Sequence, residues 1–383
     1  MKKIPIKLQT VAVLLILFLA LTQSCNNPST VDTGLSVDTS DVAKAYPQVR
    51  IPNTEERVLD SKIMDYEYGV YVTLPTGYKD NPGKIYPTLY IIDGNQYFVY
   101  TLEPYGSLIW GNMVKEHIAI SVAYRPGEIN YRARDFRTPA RAADFVKFFQ
   151  HELIPFVEEN YRTSKKDRTL FGHSLGGHFT LYMLLNEPAT FENYIVCAPA
   201  VSAEIMKFEE DFAAEHDDFP VKVFLASGEN DHLTIGAKRF AEKFKSRNYP
   251  NLKFDELYTI NGNHGTIQPT AYIEGLRFVL DRAIELAPEK FERLTGTYVA
   301  GDTTYTLSYK GGNFLTLEGV LGSHNAWIDA PQVEWNKIYP VSETSFISKG
   351  WPGTFEFSGE VSSPAETLEF RNRNNNVKAR RQQ

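Results

Sequence analysis

The chain of 383 residues has only two cysteines, Cys25 and Cys197, and no paired C-x-x-C. So few thiols exclude a disulfide framework and a cysteine-built zinc site. It also lacks an H-E-x-x-H signature and any glycine-rich dinucleotide or phosphate loop, so no metal and no cofactor is implied. Lysine and arginine nowhere form a long block and the formal net charge is −7, which argues against nucleic acid as a partner. Long apolar runs are missing too: Val11–Leu21 spans about 16 Å as a helix, half of the roughly 30 Å that a membrane span must cross.

What is present around that run is a targeting pattern. Lys2, Lys3 and Lys7 precede it and Ser24-Cys25 follow it, so residues 1–24 read as a signal peptide. Cys25 resembles the acylated cysteine of bacterial lipoproteins. The usual leucine stands one place early, at Leu21, and Thr22 holds its position, which leaves plain secretion open. Cys197 offers no sensible disulfide partner in an exported chain, so lipidation of Cys25 is the better account. Processing removes three lysines and no acid, taking the formal charge from −7 to −10. Residues 25–45, rich in Asn, Ser, Thr and Asp, then read as a lipidated cysteine and flexible tether. The expectation is a bacterial cell-envelope lipoprotein, on the periplasmic side or the outer surface, held to the membrane by its lipid.

Hydrophobic residues at 43% and charged residues at 23% suit a chain that buries a sizeable core. Over 46–290, short β-branched or aromatic runs alternate with helical periodicities. The strand-like runs are Tyr66–Leu74, Pro87–Ile92, Ile118–Tyr124, Thr169–Gly172, Tyr194–Ala198, Val221–Ala226 and Leu257–Ile260. Ala143–Tyr161 is the clearest helix, with Phe145, Phe149, Leu153 and Phe156 or Val157 on one face, and Pro155 should kink or end its first segment. This alternation predicts the α/β class: a mostly parallel central sheet covered by helices on both faces, with ligands at its C-terminal strand ends. From 291 to 383 the pattern becomes all-β, with runs at Tyr305–Tyr309, Phe314–Leu317, Ala326–Ile328, Lys337–Val341, Ser345–Ser348, Thr354–Phe357 and Leu368–Arg371. Turn clusters separate them, which predicts a small antiparallel sheet or barrel. Trp327, Trp335 and Trp351 lie here, and filling its core is the favoured reading over stacking on sugars or a partner.

The stretch TLFGHSLGGHFTLYMLL (169–185) sets Gly172-His173-Ser174-Leu175-Gly176 between a strand-like and a helix-like run. Five letters of the form G-x-S-x-G arise by chance in roughly one chain of this length in ten. The strand before and the helix after identify a nucleophile elbow, whose serine sits on a turn with no room for side chains two positions to either side. A serine hydroxyl needs a base, and the base needs a carboxylate; in this fold they follow in the order Ser, acid, His. Val221–Ala226 runs into Ser227-Gly228-Glu229-Asn230-Asp231, and Leu257–Ile260 into Asn261-Gly262-Asn263-His264-Gly265. His117 and His151 precede the serine, His178 sits on the elbow helix, His216 lies in a charged segment and His324 in the β-rich part. His232 adjoins Asp231 itself. His264 is therefore the base, and Asp231 is favoured as the acid, with Glu229 as the alternative.

VYVTLPTGY (70–78), YPTLYIIDGNQYF (86–98), RARDFRTP (132–139) and LFGHSLGG (170–177), in this order, resemble the esterase D group of α/β-hydrolases, which includes enterobactin esterases, feruloyl and acetylxylan esterases and mycolyltransferases. IIDGNQYF is most similar to the siderophore-esterase branch. The resemblance implies an oxyanion hole from the backbone amides of Asn95 and Leu175, with Asp93 and Gly94 shaping that loop and Arg134-Asp135 bracing the site or forming a merely structural ion pair. The later part weakly resembles the β domain that trails some secreted serine hydrolases.

Serine carboxylic ester hydrolysis through an acyl-enzyme follows, on small-molecule or glycan esters such as acylated carbohydrates or siderophores. The alternatives are acyl transfer from the same intermediate, and a catalytically dead carbohydrate- or siderophore-binding lipoprotein. For substrate contacts, Tyr97 and Phe98, with Tyr100, Tyr105 and Trp110, are candidates to line an acyl pocket. Arg134, with Arg125, Arg132 and Arg137, is a candidate for a basic mouth.

Overall fold

The computed structural model describes residues 50–318 and 336–382, apart from 126, 128, 138, 351, 360–362 and 373–375 and the side chains of 139 and 140. The signal peptide, Cys25, the tether, His324, the strand at Ala326–Ile328 and Trp327, Trp335 and Trp351 lie outside the described residues. In chain order the first part comprises β1 (Thr54–Ser61), β2 (Tyr66–Thr73), β3 (Tyr86–Ile91), α1 (Gly94–Trp110), β4 (Ile118–Tyr124), α2 (Arg132–Arg137), α3 (Pro139–Phe148), α4 (Ile154–Asn160), β5 (Thr163–His173), α5 (Leu175–Asn186), β6 (Asn193–Cys197), α6 (Ala203–Glu215), β7 (Lys222–Gly228), α7 (Thr234–Ser246), β8 (Lys253–Thr259) and α8 (Ile267–Val279).

Eight strands form one sheet in the order β1-β2-β4-β3-β5-β6-β7-β8. The β1/β2 and β2/β4 pairings are antiparallel, and every pairing from β4 onward to β8 is parallel. Strands β4 and β6 are buried at every position, as crossover helices on both faces require. Successive side chains feed opposite cores. Tyr90, Ile120, Leu170, Val196 and Leu225 pack toward one. Leu89, Ile91, Phe171, Ile195 and Phe224 pack with α1 and α8 in the other.

The helix expected over 143–161 is interrupted. A π-helical turn, Phe149–Leu153, separates α3 from α4. Pro155 has no N–H to donate to the carbonyl of residue 151 and its ring crowds that carbonyl, so the backbone widens just before it instead of stopping.

After α9 (Pro288–Glu292), eight strands close an antiparallel barrel: β9 (Gly296–Ala300), β10 (Thr303–Ser308), β11 (Leu315–Glu318), β12 (Lys337–Pro340), β13 (Ser345–Ser348), β14 (Thr354–Ser358), β15 (Thr367–Arg371) and β16 (Asn376–Arg381). Its last strand returns to pair with its first, so no edge is left open. The interior holds its own core, including Phe291, Tyr298, Leu315, Ile338, Phe346, Phe355 and Phe370.

Residues 51–383 form one unit. At the junction Gly350 N–H donates to Gly111 O (2.7 Å), Ile284 N–H to Pro340 O (2.8 Å), and Lys349 Nζ meets Asp281 Oδ2 at 2.7 Å.

Candidate active site

Strand β5 ends at His173 and α5 begins at Leu175, leaving Ser174 alone on the turn with φ 60° and ψ −116°. A serine in that region costs on the order of 1–3 kcal/mol, which the surroundings must offset. Ser174 N–H donates to Cys197 O at 2.9 Å, tying the turn to the end of β6. A Cβ on Gly172 would lie 2.3 Å from both Gly176 O and Thr180 Oγ1, so the elbow closes only over glycine there.

Two loops at neighbouring strand ends bring the partners. Beyond β7, Asp231 is buried and its Oδ1 accepts from Leu233 N–H at 3.0 Å. Beyond β8, the His264 loop is shaped by Asn263, whose Oδ1 accepts from the amides of Gly265 (3.0 Å) and Thr266 (3.1 Å). Glu229 N–H donates to Thr259 O and Asn230 N–H to Gly262 O, lacing the loops together. Gly228 makes this approach feasible: a Cβ there would sit 2.4 Å from the carbonyl carbon of Gly262. His264 Nδ1–H donates to Asp231 Oδ2 at 2.8 Å, and Ser174 Oγ–H donates to His264 Nε2 at 2.9 Å. Glu229 is exposed. The structure thus brings Ser174, His264 and Asp231 into one hydrogen-bonded chain from residues 90 and 33 positions apart.

Leu175 is the first residue of α5 and Asn95 the second of α1. Both amides belong to the N–H groups that a helix leaves without an internal acceptor. Asp93, before α1, adopts φ 60° and is buried; Arg132 Nε donates to its Oδ1 at 2.7 Å. Burial raises its pKa, and the Arg132 charge opposes that rise.

The expected substrate contacts fall elsewhere. Tyr97 is in the core, with its hydroxyl 2.7 Å from His173 Nδ1. Phe98 is half-buried against Tyr71. Tyr105 and Trp110 instead face a cleft of about 470 Å³ at the far end of α1, shared with Ile51, Ile109 and Pro352. The aromatic run fails as one wall because a helix distributes five such positions around its whole circumference. Three of the four arginines of the expected basic mouth are bound to carboxylates: Arg125 to Glu67, Arg132 to Asp93 and Arg134 to Asp135. Asp135 is fully buried and also accepts from Tyr68 and Tyr124, both at 3.1 Å, and the Arg134 guanidinium lies 3.8 Å from the Tyr131 ring centre. That pair is a structural knot that ties α2 to the tyrosines of β2 and β4. His178 packs on the elbow helix and donates Nδ1–H to Ala200 O at 2.8 Å.

His173 is the residue that sequence reasoning passed over, because it occupies a free position of the motif. It is buried, Tyr97 lies on one ring nitrogen, and the carbonyl of His264 lies 2.9 Å from the other. Two glycines ahead of Asp231 and His264, 228 and 262, were the available signal for the loop contact.

Among the described residues no group of three or more His, Cys, Asp or Glu side chains could hold a metal ion. The esterase family model, described as "Putative esterase", matches residues 61–262, just over half of the chain. The ferri-bacillibactin esterase BesA of Bacillus subtilis is 26% identical over 263 residues, which cover 60% of this chain and 90% of that protein. The siderophore triacetylfusarinine C esterase of Aspergillus fumigatus is 26% identical over 227 residues, 52% of this chain and 76% of that one. Among solved structures, the BES protein from Bacillus cereus superposes with a TM-score of 0.56 at 27% identity, covering 62% of this chain and 98% of that chain. The α/β-hydrolase architecture, the matched span and these relatives lead to one conclusion: the chain belongs to the esterase family.

Proposed function

We propose that the protein hydrolyses carboxylic esters of the siderophore type through an acyl-enzyme on Ser174. The observation that carries this reading is the unbroken relay Asp231–His264–Ser174, with bonds of 2.8 and 2.9 Å. His264 Nε2 takes the Ser174 proton as Oγ attacks the ester carbonyl, while Asp231 holds the imidazole tautomer and offsets the imidazolium charge. The amides of Leu175 and Asn95 receive the oxyanion, each worth about 3 kcal/mol in comparable sites. His264 then protonates the leaving alcohol, and the same imidazole activates the water that releases the acid. Siderophore esters are the substrate class because the relatives that align over most of their own length are named for them.

The test is hydrolysis of a catecholate siderophore, feruloyl and p-nitrophenyl esters and acetylated xylan by wild type and Ser174→Ala. The siderophore should turn over fastest, and the variant should lose roughly 10⁴-fold or more. Equal turnover by both proteins overturns the nucleophile, and preference for the xylan overturns the substrate class.

We further propose an envelope lipoprotein acylated on Cys25, supported by the lysines, apolar run and Ser24-Cys25 of the first 25 residues. Labelled palmitate should enter the wild type and not Cys25→Ser.

A further inference from the structure

His173 sits between two constraints that leave its ring one arrangement. Its Nε2 lies 2.9 Å from the backbone carbonyl of His264, which only accepts, so that nitrogen must carry the proton. Its Nδ1 is then the acceptor, and Tyr97 Oη–H donates to it across 2.7 Å. Burial above all, with the nearby His264 contributing, lowers its pKa to about 4, in keeping with a neutral ring between these two partners. The main chain of His173 is equally committed. Its carbonyl accepts from Arg132 Nη2 at 3.1 Å, and the same guanidinium holds Asp93, next to the oxyanion loop. The rings of His173 and His264 lie 4.5 Å apart between centres.

We propose that His173 is a positioning residue: through an Nε2–H tautomer locked by Tyr97, it holds the main chain of His264 and so sets the reach of that imidazole to Ser174 Oγ. The proposal rests on the esterase reading above. It makes one residue the link between elbow, base loop and oxyanion loop, and it gives buried Tyr97 a chemical part from inside the core. The base loop needs such a hold because Asn261, Asn263 and Gly265 around it are exposed. Positioning errors of about 1 Å at the reacting atoms cost on the order of 100-fold.

The test compares wild type, Ser174→Ala, Tyr97→Phe, His173→Gln and His173→Leu in ester hydrolysis, with ¹⁵N spectra of the His173 ring. Gln presents an amide N–H where Nε2–H was; Leu fills the space with no donor. His173→Leu should lose about 100-fold in kcat with KM within about twofold, and Tyr97→Phe should lose about 10-fold. His173→Gln should recover at least about a tenth of wild-type kcat. The spectra should show a neutral ring protonated at Nε2 at pH 7. Equal kcat for the Gln and Leu variants, a loss confined to KM, or a ring protonated at Nδ1 each overturns the proposal. If His173→Leu does not fold, Tyr97→Phe, which removes a single oxygen, and the spectra decide. Equal hydrolysis by wild type and Ser174→Ala is the separate failure of the esterase reading itself.

Discussion

At the scale of single residues, the carboxylate of Asp231 divides its work. One oxygen takes the His264 proton donor, while the other accepts from Leu233 N–H and lies 3.2 Å from Nδ1 of exposed His232. A buried acceptor of this kind fixes a tautomer, and an amide in its place presents the wrong group. Asp231→Asn should therefore lower kcat by about 10⁴-fold, whereas Glu229→Gln, on an exposed carboxylate, should stay within about twofold. Steady-state kinetics of the two variants check this, and the reverse ranking would reassign the acid. His117 carries a second prediction. It is wholly buried, Nδ1–H donates to Lys115 O at 2.9 Å, Nε2 has no partner, and burial lowers its pKa from 6.5 to about 4. The folded state thus refuses a proton that the unfolded chain accepts below pH 6.5. Its contribution is present above that pH and is lost as pH falls toward 4, amounting to about 3 kcal/mol. Denaturant unfolding at pH 7 and pH 4 should show this extra loss in wild type and not in His117→Leu. At this scale the sequence was most legible where chemistry dictates residue type, at Ser174, His264 and Asp231. It was silent on His173 and set Tyr97 in an acyl pocket instead of against that ring, because both contacts depend on distances across 76 and 91 positions of chain.

At the scale of elements, legibility followed burial. Strand Ile118–Tyr124 reads directly because all seven positions are buried. Strand β1, TEERVLDS, was not expected at all, since it pairs on one side only and most of its positions remain open to solvent. Exposure alone shortened β5, whose polar start Thr163–Asp167 lies ahead of its buried end, and hid β16, NVKARR, although both strands pair on two sides. The loops at the ends of β7 and β8 are elements in their own right, because their mutual contact sets the distance between Asp231 and His264. Gly228→Ala puts a methyl group 2.4 Å from the Gly262 carbonyl carbon, where backbone must move. Overpacking of this kind costs about 1–3 kcal/mol, and the displaced loops should lower kcat at least about 10-fold. Activity and denaturation midpoints of that variant test it; an active, equally stable protein would mean the loops tolerate separation.

For the whole molecule, two chemistries of closure share one chain. The open sheet is finished by helices on both faces and carries Ser174, Asp231 and His264 at its C-terminal strand ends, whereas the barrel is finished by its own first and last strands. Their cores are separate clusters, and the junction carries two backbone hydrogen bonds, Asn112 Nδ2–H to Gly353 O at 3.2 Å, the cleft that Ile109 and Trp110 share with Pro352, and the Lys349–Asp281 pair, with the lysine mostly buried and the aspartate about one-third exposed. A half-buried pair of this kind contributes roughly 1 kcal/mol or less, little against the several kcal/mol that hold either core. Within that one unit, two separate cores with few polar links between them are expected to lose structure in separate steps. Calorimetry should therefore resolve two transitions, with hydrolytic activity lost in only one of them, and Lys349→Ala should draw them further apart without lowering kcat. A single transition that tracks activity would mean that the barrel is a structural part of the catalytic unit, and that the junction transmits stability well beyond what its polar contacts supply.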